Sequence, residues 1–220
     1  MINKFLLILI PFLIFTISLK AQVTDKDGNN YTTVKIGKQQ WMVENLDVSH
    51  FRNGDSIPEV ENGADWQKAG DAGKPAWCYY KGDPANGKTY HKLYNWYAVN
   101  DSRGLAPTGW HIPSTSEWAD ITDYLGGGAI GGRHLKEAST SHWASPNSGA
   151  DNSSGFTALP GGSRGFNGTF VNIGDNGYWW SSSEYDNSNA WNSFLLYSHN
   201  FVYWNYYYKL YGFSVRCVKD

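Results

Sequence analysis

The densest group of side chains able to do chemistry in this 220-residue chain is Phe201-Val202-Tyr203-Trp204-Asn205-Tyr206-Tyr207-Tyr208. Successive residues of a strand point to opposite faces, so these rings cannot all enter one core. Some of Tyr203, Trp204, Tyr206, Tyr207 and Tyr208 must be exposed or line a groove. Tyrosine and tryptophan offer large contact area at low entropy cost and keep a polar handle, which suits stacking on a sugar or packing on a protein partner. Trp179-Trp180 poses the same question, with one ring expected inside and the other, taken as Trp180, outside. Trp191 and Asn192 complete the candidate ligand-binding set. A hairpin whose rings merely cover a small domain explains the run equally well.

Other chemistries are poorly supplied. A glycosidase needs two carboxylates roughly 5–10 Å apart across a cleft, and only Glu117 with Glu184 or Asp186 offers itself. Glu117 already has a structural duty, because Ser114 three residues earlier completes a capping box. The six histidines, at 50, 91, 111, 134, 142 and 199, lack close metal-ligand spacing, and His111 beside Pro113 reads as a hydrogen-bonding loop residue. Asp175, Asn176, Glu184, Asp186 and Asn187 would make an oxygen-rich loop, yet Asn and Asp commonly bond their own backbone in turns. The expectation is therefore no enzyme, no metal and no cofactor. Cys78 and Cys217 are the only cysteines. In an exported chain a single structural bridge is the ready inference, worth on the order of 5 kcal/mol for so long a loop. The reactive-thiol alternative lacks a neighbouring cysteine or basic partner.

Export itself is read from residues 1–21. Lys4 supplies a positive start, Phe5 to Leu19 an apolar run, and Ala21 a small cleavage residue, so a signal peptide is expected and Gln22 begins the mature chain. Fifteen apolar residues fall short of the roughly 20 needed to span a bilayer, and no second run follows. Cleavage would remove Lys4 and Lys20 and carry the formal net charge from −2 to −4. No basic stripe points to nucleic acid. Secretion or display at the cell surface follows as an expectation, with a glycan or surface protein as partner.

The elements that must position these residues are short. Tyr31–Ile36 and Gln39–Val43 read as strands joined at Gly37-Lys38, an N-terminal hairpin element spanning 22–46 ahead of a domain at 47–220. The stretch 47–87 is rich in Gly, Asp, Asn and Pro and reads as ordered loops around a short segment at 76–80. Leu93, Trp96, Tyr97 and Asn100 predict a helix near 92–100. Trp118, Ile121 and Leu125 predict another from Thr115 to about Leu125, ended by Gly126-Gly127-Gly128. The last third is β in character: 156–159, 177–182, 190–197, 201–204 and 213–218. The class is α+β.

Several ordered segments resemble the Fibrobacter succinogenes major paralogous domain. They are Asp27-Gly28-Asn29 leading to Val34-Lys35-Ile36-Gly37, Gln40-Trp41-Met42-Val43-Glu44-Asn45-Leu46, Leu93-Tyr94-Asn95-Trp96-Tyr97-Ala98-Val99, and Leu105 to Trp118. Gly155-Phe156-Thr157-Ala158-Leu159-Pro160-Gly161-Gly162, Tyr178-Trp179-Trp180-Ser181-Ser182 and Gly212-Phe213-Ser214-Val215-Arg216-Cys217-Val218-Lys219-Asp220 complete the resemblance. His91 departs from it, since that family usually has glycine before Lys92. The resemblance implies a C-type lectin-like fold, related to formylglycine-generating-enzyme domains, with two short helices packed on small antiparallel sheets and long ordered loops. In that fold a bridge commonly ties an early element to the last strand, which suits Cys78 with Cys217. Calcium-dependent lectins also use a Glu-Pro-Asn or Gln-Pro-Asp loop, absent here, and a Trp-Asn-Asp run. Trp191-Asn192-Ser193 loses the last carboxylate. The resemblance brings no established activity. The leading expectation is a non-catalytic binding module, with a structural cell-envelope component or a polysaccharide hydrolase as alternatives.

Overall fold

A computed structural model describes residues 22–220. The expected signal peptide lies outside the described residues. Three sheets organise the chain. The first has the order β1 (Gln22–Thr24), β2 (Asn30–Ile36), β3 (Gln39–Met42), β12 (Val218–Lys219) and β6 (Trp110–His111). The second has the order β11 (Tyr203–Tyr208), β10 (Asn189–Leu196), β9 (Asn176–Glu184), β7 (Gly161–Arg164) and β8 (Phe170–Ile173). β4 (Trp77–Cys78) pairs with β5 (Leu93–Tyr94) in the third. The β2–β3 hairpin turns where expected, with Gly37 at φ 60°, a conformation glycine adopts without a Cβ penalty. Its strand β3 pairs with β12 through Val218 and Trp41, so the two ends of the domain close one sheet.

Among the described residues five α-helices are present where two were expected: α1 (Gly63–Asp71), α2 (Pro84–Tyr90), α3 (Trp96–Val99), α4 (Thr115–Tyr124) and α5 (Gly131–Leu135). α4 starts as the sequence dictates. Ser114 caps the Glu117 amide, and Glu117 answers on the Ser114 amide at 2.8 Å. α1 and α2 fall inside the stretch read as loops. Each is set by its cap rather than by an apolar stripe: Asn62 accepts from the Ala64 and Asp65 amides, and Asp83 accepts from Ala85 just ahead of Pro84. α1 buries only Trp66 and Gly70, and α2 only Gly87, too few to show a helical period. The segment at 156–159 is likewise not a strand; it contributes one isolated bridge, Ala158 to Lys136.

Both faces of the second sheet are covered. Tyr178 and Trp180 of β9 enter one core with Phe213, Trp96 and Tyr94, while Trp179 enters another with Trp41, Trp118, Phe156 and Leu195. A third cluster, around Trp66, Cys78, Tyr80 and Leu93, packs under α1. Two further observations correct the expectations. Cys78 and Cys217 are free, fully buried thiols in different clusters, and no disulfide joins them. Burial pushes both thiols up, Cys78 to about 11, so neither forms thiolate readily. His91 sits at φ 64°, ψ −162°, a region almost restricted to glycine.

Candidate binding surface

The strand register assigns each aromatic from Tyr203 to Tyr208 to a face. Directly paired residues share a face, so Tyr208 with Asn189, Tyr206 with Trp191, and Trp204 with Ser193 lie on one side. Tyr207 with Ala190, Asn205 with Asn192, and Tyr203 with Phe194 lie on the other. Because each side has its own core, most of the candidate rings are at least half consumed by packing. Trp180 is fully buried, its indole donating to the Tyr94 carbonyl at 2.8 Å. Asn192 is also fully buried, and its amide finds no hydrogen bond among the described residues. Trp204 packs edge-on to Trp118, and Tyr207 packs against Phe213. Tyr203 is half-buried in a stacked row running Phe213, Tyr178, Phe194, Tyr203.

What remains outward is Phe201, just ahead of β11, and the far end of that strand. Tyr206 is 43% exposed and Tyr208 52%. Tyr206 stacks on Tyr185 with centroids 3.8 Å apart and planes within 4°, and Trp191 meets both rings edge-on. Tyr208 meets Phe166, itself exposed, at 6.1 Å and 83°. Beside Tyr208 and Phe166 lies a groove of about 350 Å³, bounded also by Tyr97, Asp71, Asn187 and Ser188. Tyr185, Phe166 and Tyr97 were missed by sequence reasoning. Phe166 and Tyr185 are lone rings in polar segments and Tyr97 belongs to an apolar helical stretch, and only the tertiary structure carries them to the rim.

The walls of this groove are held firmly. Gly70 allows α1 to approach the 209–212 turn so closely that a Cβ there would lie 2.4 Å from Leu210. The Trp66 indole donates to the Leu210 carbonyl at 2.8 Å, and the Arg164 guanidinium lies 4.4 Å over the Trp66 ring. On the opposite wall, Asp186 accepts from the Ser188 and Asn189 amides at 2.7 and 2.8 Å and from the Asn189 side chain. These bonds hold its carboxyl below the usual range, the Asn189 side chain contributing most. Beneath that turn the buried Lys209 ammonium pairs with Glu184 and donates to the Asn187 carbonyl. Thus Asp186 and Glu184 are engaged in shaping the turn. Asp71, by contrast, makes no side-chain hydrogen bond or ion pair among the described residues.

The acid–base candidates are engaged elsewhere. Glu117 accepts from the Ser114 amide and hydroxyl and meets His111 Nε2 at 2.6 Å. Burial opposes its ionisation, but those bonds win and its pKa is lowered. His111 Nδ1 meets Asp220 at 2.7 Å. Burial works against its protonation, yet the two carboxylates outweigh it and raise its pKa. The His111 ring therefore ties the start of α4 to the strand β12 end. Among the described residues no group of three or more His, Cys, Asp or Glu is arranged to hold a metal ion, and no helix is long and apolar enough to cross a membrane.

The family model for the Fibrobacter succinogenes major domain matches residues 34–219. No curated protein and no solved structure matches the chain. The matched span takes in the capped start of α4, both aromatic cores and the groove beside Tyr208; the chain belongs to the Fibrobacter succinogenes major domain family.

Proposed function

We propose that this chain is an exported, non-catalytic binding module of C-type lectin-like fold that holds a neutral glycan against the outward end of β11. The observation that carries this reading is the groove beside Tyr208. It has aromatic walls in Tyr208, Phe166 and Tyr97, and polar groups in Asp71, Asn187 and Ser188. Sugars present apolar C–H faces and hydroxyl edges, so a ring wall with carboxylate, amide and hydroxyl neighbours is matched to both. The stacked Tyr185–Tyr206 pair, on the same strand face as Tyr208, extends the surface. The fold reading rests on small antiparallel sheets with packed helices and long ordered loops, together with the sequence resemblance. Export rests on the expected signal peptide.

The test is glycan-array binding of residues 22–220, compared with Tyr208→Ala and Phe166→Ala. Both rings are exposed, so folding should persist. Binding of a neutral oligosaccharide that drops at least tenfold in either variant supports the reading. Binding unaffected by both substitutions, or absence of binding to any glycan, overturns it and favours a structural envelope role.

A further inference from the structure

A second cleft, of about 350 Å³, lies between the segment after β3 and the last turn of α2. At its rim is His91, whose φ 64°, ψ −162° is strained for any residue with a Cβ. The fold gains little in return. The imidazole Nδ1 is buried without a hydrogen-bond partner, in a long ion-pair contact with Asp47 at 3.9 Å, and Asp47 is itself paired with Lys92 at 3.1 Å. Glycine would take this backbone freely. Lys88 and Thr89, on the same turn and lining the same cleft, also make no side-chain hydrogen bond among the described residues. An imidazole nitrogen without a hydrogen bond and two unused side-chain donors thus adjoin one cavity.

The charge of the cleft has a definite sign. Beneath it the Arg216 guanidinium is fully buried and bonded only to neutral acceptors: Asn45 Oδ1 and the carbonyls of Met42, Val43 and Phe156. Glu44 is the single carboxylate on the wall, and it is occupied by the Thr32 amide and hydroxyl at 2.8 Å. Lys88 and Arg216 therefore outnumber it. Val43, Leu159 and Thr157 add an apolar side. Thr157 is itself left-handed at φ 54°, but Asn152 bonds its amide and hydroxyl, so its strain has a structural account that His91 lacks.

We propose that this cleft binds a small hydroxylated monocarboxylate, a sugar acid, with Lys88 and His91 on the carboxylate and Thr89 on a hydroxyl. A phosphate dianion fits less well. The cleft meets the C-terminal end of α2, whose partial negative charge opposes an anion, and a dianion more than a monoanion. The site is separate from the groove beside Tyr208 and does not depend on the reading given to it.

Calorimetric titration of residues 22–220 with D-glucuronate at pH 6, against D-glucose and inorganic phosphate, tests the proposal. Glucuronate should bind at least tenfold more tightly than either control. His91→Gly should lose at least tenfold in affinity while its thermal midpoint stays level or rises, the mark of a residue kept for binding. Lys88→Ala, at an exposed position, should lose affinity with an unchanged midpoint, and Tyr208→Ala should bind as the parent does. No heat with glucuronate, equal binding of glucose or phosphate, or full affinity in Lys88→Ala would overturn it.

Discussion

Two aromatic clusters on the same side of the β9–β10–β11 sheet differ in what their rings face. Around Trp118, the rings of Trp41, Phe156, Trp179 and Trp204 meet at tilted or edge-on angles with centroids 4.8–6.4 Å away, under α4, all of them buried except the partly buried Trp204. At the far end, Tyr185 and Tyr206 stack in parallel at 3.8 Å with water on the outside. The same residue types serve as core in one place and as surface in the other. The deciding factor is whether a helix covers that stretch of sheet, not the ring chemistry of the strand itself.

The largest effect should come from removing the centre of the covered cluster. Trp118→Ala should lower unfolding free energy by about 3–5 kcal/mol, read by denaturant titration, because a fully buried indole leaves a cavity. Tyr206→Ala should cost under about 1 kcal/mol, since its ring is half in water already. Similar losses at the two sites would break the distinction between core and surface.

A smaller effect separates the framework from the groove by pH. His111 has a raised pKa, so its pairing with Asp220 and Glu117 stabilises fully below its unfolded value near 6.5 and fades as pH rises through the folded value. The lowered Glu117 pKa acts at the other limit, its contribution fading only as pH falls through the folded value. Thermal midpoints should therefore decline as pH rises above about 6.5 in the parent and decline less in His111→Gln. Parallel profiles would place the pH dependence elsewhere. The smallest expected effect is none: added reductant should leave the midpoint unchanged, because the two thiols are free, whereas a bridge would have contributed roughly 5 kcal/mol.

Legibility varied with how local the cause was. The α4 start was readable because a cap, its answering glutamate and a glycine stop all lie within fifteen residues. α1 and α2 were not, since each buries one or two residues and draws its stability from contacts such as Trp66 with Arg164, distant in sequence. The aromatic run is legible as unable to enter a single core, and its rings divide between the two sheet faces. That Trp180 and Asn192 are interior depended on a second core on the opposite face, which no strand pattern reveals. The free cysteines carry the same lesson, for their separation into different clusters is a property of packing.

By itself the sequence determined the family, the α+β class, the capped helix and the hairpin turn, because each depends on short-range sterics, on hydrogen bonds between near neighbours or on ordered motifs. Only the tertiary structure decided which rings face water, and brought Phe166, Tyr97 and Asp71 beside Tyr208. It alone left Lys88 and Thr89 as unused donors, and His91 Nδ1 without a hydrogen bond, around a cleft. Burial and convergence are sums over contacts between residues far apart in the chain, and periodicity along the chain does not encode those sums.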